Sequence, residues 1–265
     1  MTSTAPVIRN LAEKLDTALR GKVPMPHFAV SESLSELADA YAVQTAWTAM
    51  RVARGEKIVG RKIGLTAKAV QEQLGVDQPD YGTLWESSFH KTKNGQVTVS
   101  AADFIAPRIE GEVAFLIGKS LKGPNITPEQ VLAATDACAL GVEIVDSRIA
   151  DWKIKIGDTI ADNASYGGFA LGPWDKALRD ADLAAVKMIQ SQNGAVVGEG
   201  TGAAVLGSPL ISCTWLANKL AEFDVGLEPG DVVISGALMK MLPFKAGDKF
   251  VFALEGQPDL TVTII

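Results

Sequence analysis

Glu110 and Glu112 stand one residue apart near the head of an otherwise apolar run, "APRIEGEVAFLIG", Ala106 to Gly118. In an extended strand residues i and i+2 project from one face, so the two carboxylates are neighbours. Like charges in a partly desolvated place repel, at a cost of roughly several kcal/mol. Either that face meets solvent with Arg108 as a nearby counter-charge, or a cation lies between the acids. A third acid, Glu143 in "ALGVEIVDSR", falls in a run that reads as a buried strand, on the face of Gly141 and Val145. A lone buried glutamate needs a partner: an ion pair with Arg148 or Arg61, or the same cation. Three carboxylates from two strands make a hard, all-oxygen site that suits Mg²⁺ or Mn²⁺ rather than zinc, and leave positions for water and substrate oxygens. The only histidines, His27 and His90, lack metal-ligand spacing.

Other residue types could act beside such a site. Lys62 in "VGRKIGLT" follows an apolar strand and precedes a glycine; its amine either enters a pocket, where desolvation and a metal would lower its pKa, or lies on the surface. Asp80 in "QPDYG" sits in a turn, where a structural side-chain bond to the backbone is the plain alternative to chemistry. "TIADNAS" offers Asp162, Asn163 and Ser165, to orient substrate or metal-bound water or to bond a turn. "VISGAL" ends a β-branched strand at Ser235 and Gly236, whose hydroxyl and N–H could hold a carboxylate, or simply close the strand. "GEGTGAAVLG" fits a relaxed dinucleotide fingerprint through Gly198, Gly200 and Ala203. Its context excludes that reading: "QNGA" before it looks like a hairpin turn, and Pro209 arrives before a helix is established.

The elements that must position these residues follow from periodicity. "VIRNLAEKLDTALRG" and "SLSELADAYAVQTAWTAMRVARGE" are helical and end on Gly21 and Gly55. "KIVGRKIGLT" is β-branched, "AKAVQEQLG" reads as a short helix, and "DQPDYGTLW" as a turn into a strand. The remainder is mostly strands: "GQVTVS", "IEGEVAFLIG", "ALGVEIVD", "GGFALG", "LAAVKMIQSQNGAVVGEG", "GDVVISGAL", "GDKFVFALEG" and "LTVTII". Helices are expected at "TPEQVLAATDA" and "PLISCTWLANKLAEF". The boundary between a helical amino-terminal part (1–80) and a β-rich body (81–265) is drawn near Tyr81.

Composition bounds the function. A chain of 265 residues, 47% hydrophobic and 21% charged, can bury a sizeable core, and no apolar run approaches a bilayer span. The amino terminus lacks an export pattern, which predicts a cytoplasmic protein. Cys138 and Cys213 lie far apart and read as buried reduced thiols. A net charge of −6 and a pI near 5.1 give no support to a nucleic-acid or anionic-lipid partner, leaving small molecules and protein subunits.

"GRKIGLT", "GVDQPDYGTLW", "PRIEGEVAF", "GVEIVDSRIADW", "DTIADNAS", "VLGSPL" and "GDVVISGAL", in this order and spacing over nearly the whole chain, resemble the 2-oxopent-4-enoate (2-hydroxypenta-2,4-dienoate) hydratases and sister 4-oxalocrotonate decarboxylases of the fumarylacetoacetate hydrolase superfamily. The resemblance implies an α+β fold, a mixed β-sheet roll with a smaller helical amino-terminal domain, and a homo-oligomer, with a neighbouring pathway enzyme as a candidate partner. It implies Mg²⁺, or Mn²⁺, on Glu110, Glu112 and Glu143. Lys62 and Asp80 become the proton-transfer candidates, with Asp80 facing the substrate. Leu65, Asp162, Asn163, Ser165, Ser235 and Gly236 become substrate-binding candidates.

The activity so implied is hydration of the dienoate in aromatic meta-cleavage catabolism: a proton shift along the conjugated chain, then water at C4, giving a 4-hydroxy-2-oxo acid, with the metal as Lewis acid on the C1 carboxylate and C2 oxygen. Decarboxylation of 4-oxalocrotonate would use the same metal site and is the alternative. An aspartate at position 80 favours the hydratases. Ser208, where the family often has histidine, and the terminal "EGQPDLTVTI" depart from the family pattern and leave a longer dicarboxylate substrate open. Acylpyruvate-type carbon–carbon hydrolysis, which usually calls for an activating histidine, and a non-catalytic assembly role complete the alternatives.

Overall fold

The two amino-terminal helices form as their apolar spacing predicts. In the computed structural model, which describes residues 3–68, 71–72 and 78–265, α1 (Ala5–Gly21) buries Leu11, Ala12, Leu15 and Ala18, and α2 (Leu37–Ala53) buries Ala40, Tyr41, Val43 and Trp47. Gly21 is the last helical residue, and the left-handed cap falls on Lys22 (φ 52°). The helices are joined through Asp16, a buried carboxylate that accepts from Trp47 Nε1 at 3.1 Å and from Arg54 Nη2 at 2.6 Å. Gln44 ties α2 to the rest: its Nε2 donates to the carbonyls of Tyr81 and Ile160, each at 2.8 Å.

Twelve strands follow among the described residues: β1 (Ile58–Gly64), β2 (Asp80–Trp85), β3 (Gln96–Val99), β4 (Arg108–Ile117), β5 (Thr135–Val145), β6 (Tyr166–Leu171), β7 (Lys187–Gln192), β8 (Ala195–Thr201), β9 (Val232–Ala237), β10 (Leu242–Pro243), β11 (Lys249–Leu254) and β12 (Leu260–Ile264). The helices among them are α3 (Pro128–Ala134), α4 (Ile156–Ala161), α5 (Lys176–Asp180) and α6 (Pro209–Ala221). The expected helix "TPEQVLAATDA" stops at Ala134, because Thr135 already pairs with Ile117 as the first residue of β5. The hairpin read from "QNGA" forms, with Asn193 and Gly194 both at positive φ between β7 and β8. The short helix expected at 67–75 lies mostly outside the described residues.

The strands make a 7-stranded sheet, β2-β1-β9-β4-β5-β6 with β10 beside β4, and a 5-stranded sheet, β3-β12-β11-β7-β8. In the larger sheet β1 runs parallel to β9 and the other pairings are antiparallel, so the sheet is mixed. Its two edges meet: the segment after β2 returns to β6, where His90 N donates to Phe169 O at 2.8 Å and the Phe89 and Phe169 rings stack at 4.7 Å. The sheet is therefore curled, as the roll predicts. Val113 and Phe115 lie in the main core, and Gly111 comes close to Met188 and Phe252 of the second sheet; a Cβ there would sit 2.3 Å from Met188 Sδ. Ala114, Ala139, Phe169 and Ile234 form a smaller cluster of their own.

β1 corrects the proposed boundary. It hydrogen-bonds to β2 and to β9, so the strand carrying Lys62 belongs to the sheet, and the change from helix to strand falls between Ala53 and Ile58 rather than at Tyr81. The helices also share one core with the sheets, Leu15 and Trp47 joining Val113 and Phe252. No helix among the described residues is long and apolar enough to cross a membrane. Cys138 and Cys213 are buried free thiols, and burial pushes Cys213 up to about 12.

Candidate metal centre and active site

Antiparallel pairing of β4 with β5 sets Glu110 directly opposite Glu143 and Glu112 opposite Gly141. With Glu110 and Glu112 on one face, three carboxylates converge, each offering an oxygen within 4.8 Å of the others. Glu112 and Glu143 are wholly buried and Glu110 is partly so. Both oxygens of Glu143 and Oε1 of Glu112 accept no aligned hydrogen bond from the described residues. Burial and the neighbouring negative charges push Glu110 up to about 8 and Glu112 well above the usual carboxylate range. Burial also raises Glu143, although Lys62 opposes that. Buried carboxylate oxygens short of donors, with only Lys62 Nζ near Glu143 Oε1, and acids that resist ionising together are what a divalent cation would relieve, and an all-carboxylate donor set fits a hard ion. The cluster is the only such group of acids, histidines or cysteines among the described residues.

The alternative partners are engaged elsewhere. Arg108 lies over the Trp152 ring, 4.6 Å from its centroid. Arg148 pairs with Asp162, and Arg61 Nη1 donates to its neighbour's carbonyl, Gly60 O. The cation that reaches Glu143 is Lys62, with Nζ 3.1 Å from Oε1. Lys62 is buried, and Nζ also donates to Ala164 O at 3.0 Å. Burial works against its charge as expected, but Glu143, Asp80, Glu110 and Glu112 outweigh that and raise its pKa. The protein alone thus reverses the expected lowering.

Asp80 opens β2 opposite Gly64, the last residue of β1. It is buried, its Oδ2 accepts from Thr159 Oγ1 at 3.0 Å, and its Oδ1 has no partner among the described residues. Burial raises its pKa against the pull of Lys62. Gly64 brings the two groups together: a Cβ there would lie 2.3 Å from Asp80 Oδ1 and 3.2 Å from Lys62 Nζ. Lys62 and Asp80 therefore crowd one spot beside the acid cluster.

The remaining candidates divide. Ser235 and Gly236 do not end β9 but form a bulge in it: Ile234 pairs with Ala114 and Ala237 with Glu112, so the two residues oppose Val113 alone. The bulge turns the Gly236 N–H onto Glu112 Oε2 at 2.6 Å, so it holds a protein carboxylate rather than a substrate one. Ser235 Oγ is buried and without a partner among the described residues, and remains available. Leu65, partly buried and left-handed (φ 57°), accepts from Gln71 Nε2 at its carbonyl. Asp162 is committed to Arg148, accepting from its Nε and its backbone N–H, and Ser165 Oγ lies 3.5 Å from Asp162 Oδ2. Asn163 spends both ends of its amide on Thr83, accepting from its N at 2.7 Å and donating to its O at 2.9 Å. Asp162 and Asn163 thus make long-range bonds within the protein, and only Ser165 lies against a neighbour in its own turn. Ser208 caps α6, its Oγ accepting from Leu210 N. Sequence reasoning missed Thr159, although it lies in the quoted "DTIADNAS" block, and missed Gly64 and the Ala164 carbonyl.

Residues 57–265 match the fumarylacetoacetate hydrolase C-terminal family. The chain belongs to the fumarylacetoacetate hydrolase family. Among relatives of this family member, the 2-hydroxyhexa-2,4-dienoate hydratase of Comamonas testosteroni is 43% identical over 249 residues, 94% of each chain. The 2-keto-4-pentenoate hydratase of Burkholderia vietnamiensis (strain G4) is 42% identical over 224 residues, 84% of each. A solved structure, 4-oxalocrotonate decarboxylase from Pseudomonas putida G7 complexed with magnesium and adipate, superposes with a TM-score of 0.94 at 33% identity, covering 100% of this chain and 99% of that one. The fumarylacetoacetate hydrolase fold accounts for the curled mixed sheet.

Proposed function

We propose that the protein is a divalent-metal-dependent hydratase that adds water to 2-hydroxypenta-2,4-dienoate or a close homologue, giving a 4-hydroxy-2-oxo acid in the breakdown of aromatic ring-cleavage products. The observation that carries this is a buried trio of carboxylates with unsatisfied oxygens, set against Lys62 and Asp80, in a chain 43% identical to a dienoate hydratase. Glu110, Glu112 and Glu143 would hold the metal, with Mg²⁺ favoured by the hard donor set and by the magnesium in the solved relative, and Mn²⁺ as a substitute. When bound, the ion supplies Lewis acidity toward the carboxylate and 2-oxygen of the substrate.

The chain's own groups do the rest. Asp80, its Oδ2 fixed by Thr159 and its Oδ1 without an aligned donor among the described residues, is placed to hold a proton and pass it at that oxygen; burial raises its pKa against the pull of Lys62. Lys62, held by Ala164 O and Glu143, stands where it can take up or return the second proton. Ser235 Oγ is free to bind a substrate oxygen. Burial of Lys62, Asp80, Glu112 and Glu143 limits bulk water at the site, which strengthens each charge interaction.

Decarboxylation of 4-oxalocrotonate is the second reading, favoured by the similarity to the magnesium–adipate complex. Hydration in ¹⁸O-labelled water separates the two. The hydratase places the label on the C4 hydroxyl of the product from the dienoate; the decarboxylase releases carbon dioxide from 2-oxohex-3-enedioate and leaves the dienoate unlabelled. The protein is further read as a cytoplasmic homo-oligomer, to which its buried free thiols and absence of a spanning helix among the described residues are suited.

A further inference from the structure

Asn163, Ala164 and Ser165 are three consecutive residues in the left-handed region, with φ of 56°, 52° and 51°. Asparagine visits that region with little penalty, but alanine and serine do so only where the surroundings compel them. The surroundings are identifiable. Asn163 is bonded at both ends of its amide to the backbone of Thr83 in β2, as a further strand residue would be. β2 admits this approach only because residue 82 is glycine: a Cβ there would meet Asn163 O at 2.3 Å. On the other side Ser165 N donates to Asp162 O at 3.0 Å, and Ser165 O accepts from Asp146 N at 2.7 Å.

The turn leaves one carbonyl pointing elsewhere. Asn163 O accepts from Tyr166 N and Ser165 O from Asp146 N, whereas Ala164 O accepts from Lys62 Nζ at 3.0 Å. Lys62 has the Ala164 carbonyl on one side and Glu143 Oε1, at 3.1 Å, on the other. A right-handed turn would point that carbonyl in a different direction.

We propose that Asn163 is a positioning residue for Lys62: by pairing its amide with Thr83 it keeps the turn left-handed and fixes the Ala164 carbonyl as the acceptor that aims the Lys62 ammonium at the acid cluster. The proposal rests on the reading of Lys62 as a proton-transfer group, and its test separates the two. Asn163→Gly removes the amide while still permitting positive φ. Asn163→Asp keeps the size but sets an acceptor oxygen, charged when ionised, against Thr83 O in place of the donor, and carries the test if the glycine variant melts below the assay temperature. Lys62 acetylation by acetic anhydride, at one fixed pH, is followed by peptide mass mapping on the full chain, and kcat and KM are measured with 2-hydroxypenta-2,4-dienoate and Mg²⁺.

The expected result is Lys62 labelling at least about ten-fold faster than in the wild type, and kcat lower by about 10²-fold, the scale of a lost general acid or base, with KM within about two-fold. A folded variant that labels Lys62 at the wild-type rate overturns the proposal whatever its kcat, and so does a rise in KM alone, which would make Asn163 a substrate contact. If the wild type leaves the dienoate unchanged, the hydratase reading fails, and the labelling comparison still decides the tether.

Discussion

Gly64→Ala is the sharpest perturbation of the proposed proton-transfer pair, because it adds one methyl group at the point where Lys62 and Asp80 meet. The new Cβ would lie 2.3 Å from Asp80 Oδ1 and 3.2 Å from Lys62 Nζ, whereas heavy atoms in ordinary contact stand about 3.5 Å apart. Asp80 Oδ1 must therefore retreat by about 1 Å. It has little freedom to do so: Oδ2 is held by Thr159 Oγ1 at 3.0 Å, and Asp80 is register partner to residue 64 itself. Displacement of a catalytic group by about 1 Å costs on the order of 10²-fold in rate. Overpacking of a buried site costs ~1–3 kcal/mol, so melting falls by several degrees while the fold survives. The acid cluster stands on β4 and β5, whereas the three atoms nearest a Cβ at residue 64 belong to Asp80 and Lys62. The assay is dienoate turnover by ultraviolet absorbance, beside Mn²⁺ titration calorimetry of the same preparation. The reasoning predicts kcat lower by about 10²-fold with Mn²⁺ affinity within about three-fold. A folded variant with wild-type kcat, or one whose metal affinity collapses along with its rate, would refute it.

Thr159→Val removes the hydroxyl that fixes Asp80 Oδ2 and keeps its shape; kcat falls about ten-fold, with stability down by about 1 kcal/mol in urea melts. Gly236→Ala puts a Cβ 2.4 Å from Thr66 Oγ1 at φ +111° and disturbs the N–H that holds Glu112, so Mn²⁺ affinity measured by calorimetry falls about 10- to 100-fold. Stability of metal-stripped protein is tied to the acid cluster. Glu110, Glu112 and Glu143 are all raised, so the folded state binds more protons than the unfolded one once pH exceeds the ordinary carboxylate value. Stability then falls as pH rises from about 4.5 toward 8, where Glu110 itself gives up its proton. Thermal melts across that range should show this downward slope without metal and lose it with saturating Mg²⁺; a slope unchanged by Mg²⁺ would place the ion elsewhere.

Much of this was open to reading in the chain itself, for definite reasons. Glu110 and Glu112 declare a shared face through the two-residue period of a strand, and Glu143 is conspicuous as an acid in an apolar run. That the three meet depends on the register of β4 against β5, which sets Glu110 on Glu143 and which no local pattern encodes. Glycine interrupts a β-branched run at a strand end and at a bulge alike, so the local pattern at Ser235–Gly236 does not distinguish the two. The boundary at Tyr81 failed for a related reason: β1 follows two helices in sequence, but its hydrogen bonds go to β2 and β9, and parallel pairing with a strand so distant leaves no local trace. Asn163 offers a polar amide in the sequence, but its partner, Thr83, is 80 residues away, and only the fold shows that the amide is spent on backbone. The lowering expected for Lys62 follows from burial and a nearby metal; the four acids around it, gathered by the fold, reverse the sign in the protein alone.

The most direct measurement of the central claim is the ultraviolet and product analysis of metal-stripped wild-type and Glu110→Gln protein given 2-hydroxypenta-2,4-dienoate, with and without Mg²⁺. The account predicts 4-hydroxy-2-oxopentanoate from the wild type only when Mg²⁺ is present, and none from Glu110→Gln under either condition. Equal turnover with and without the ion, or full activity in Glu110→Gln, would contradict it.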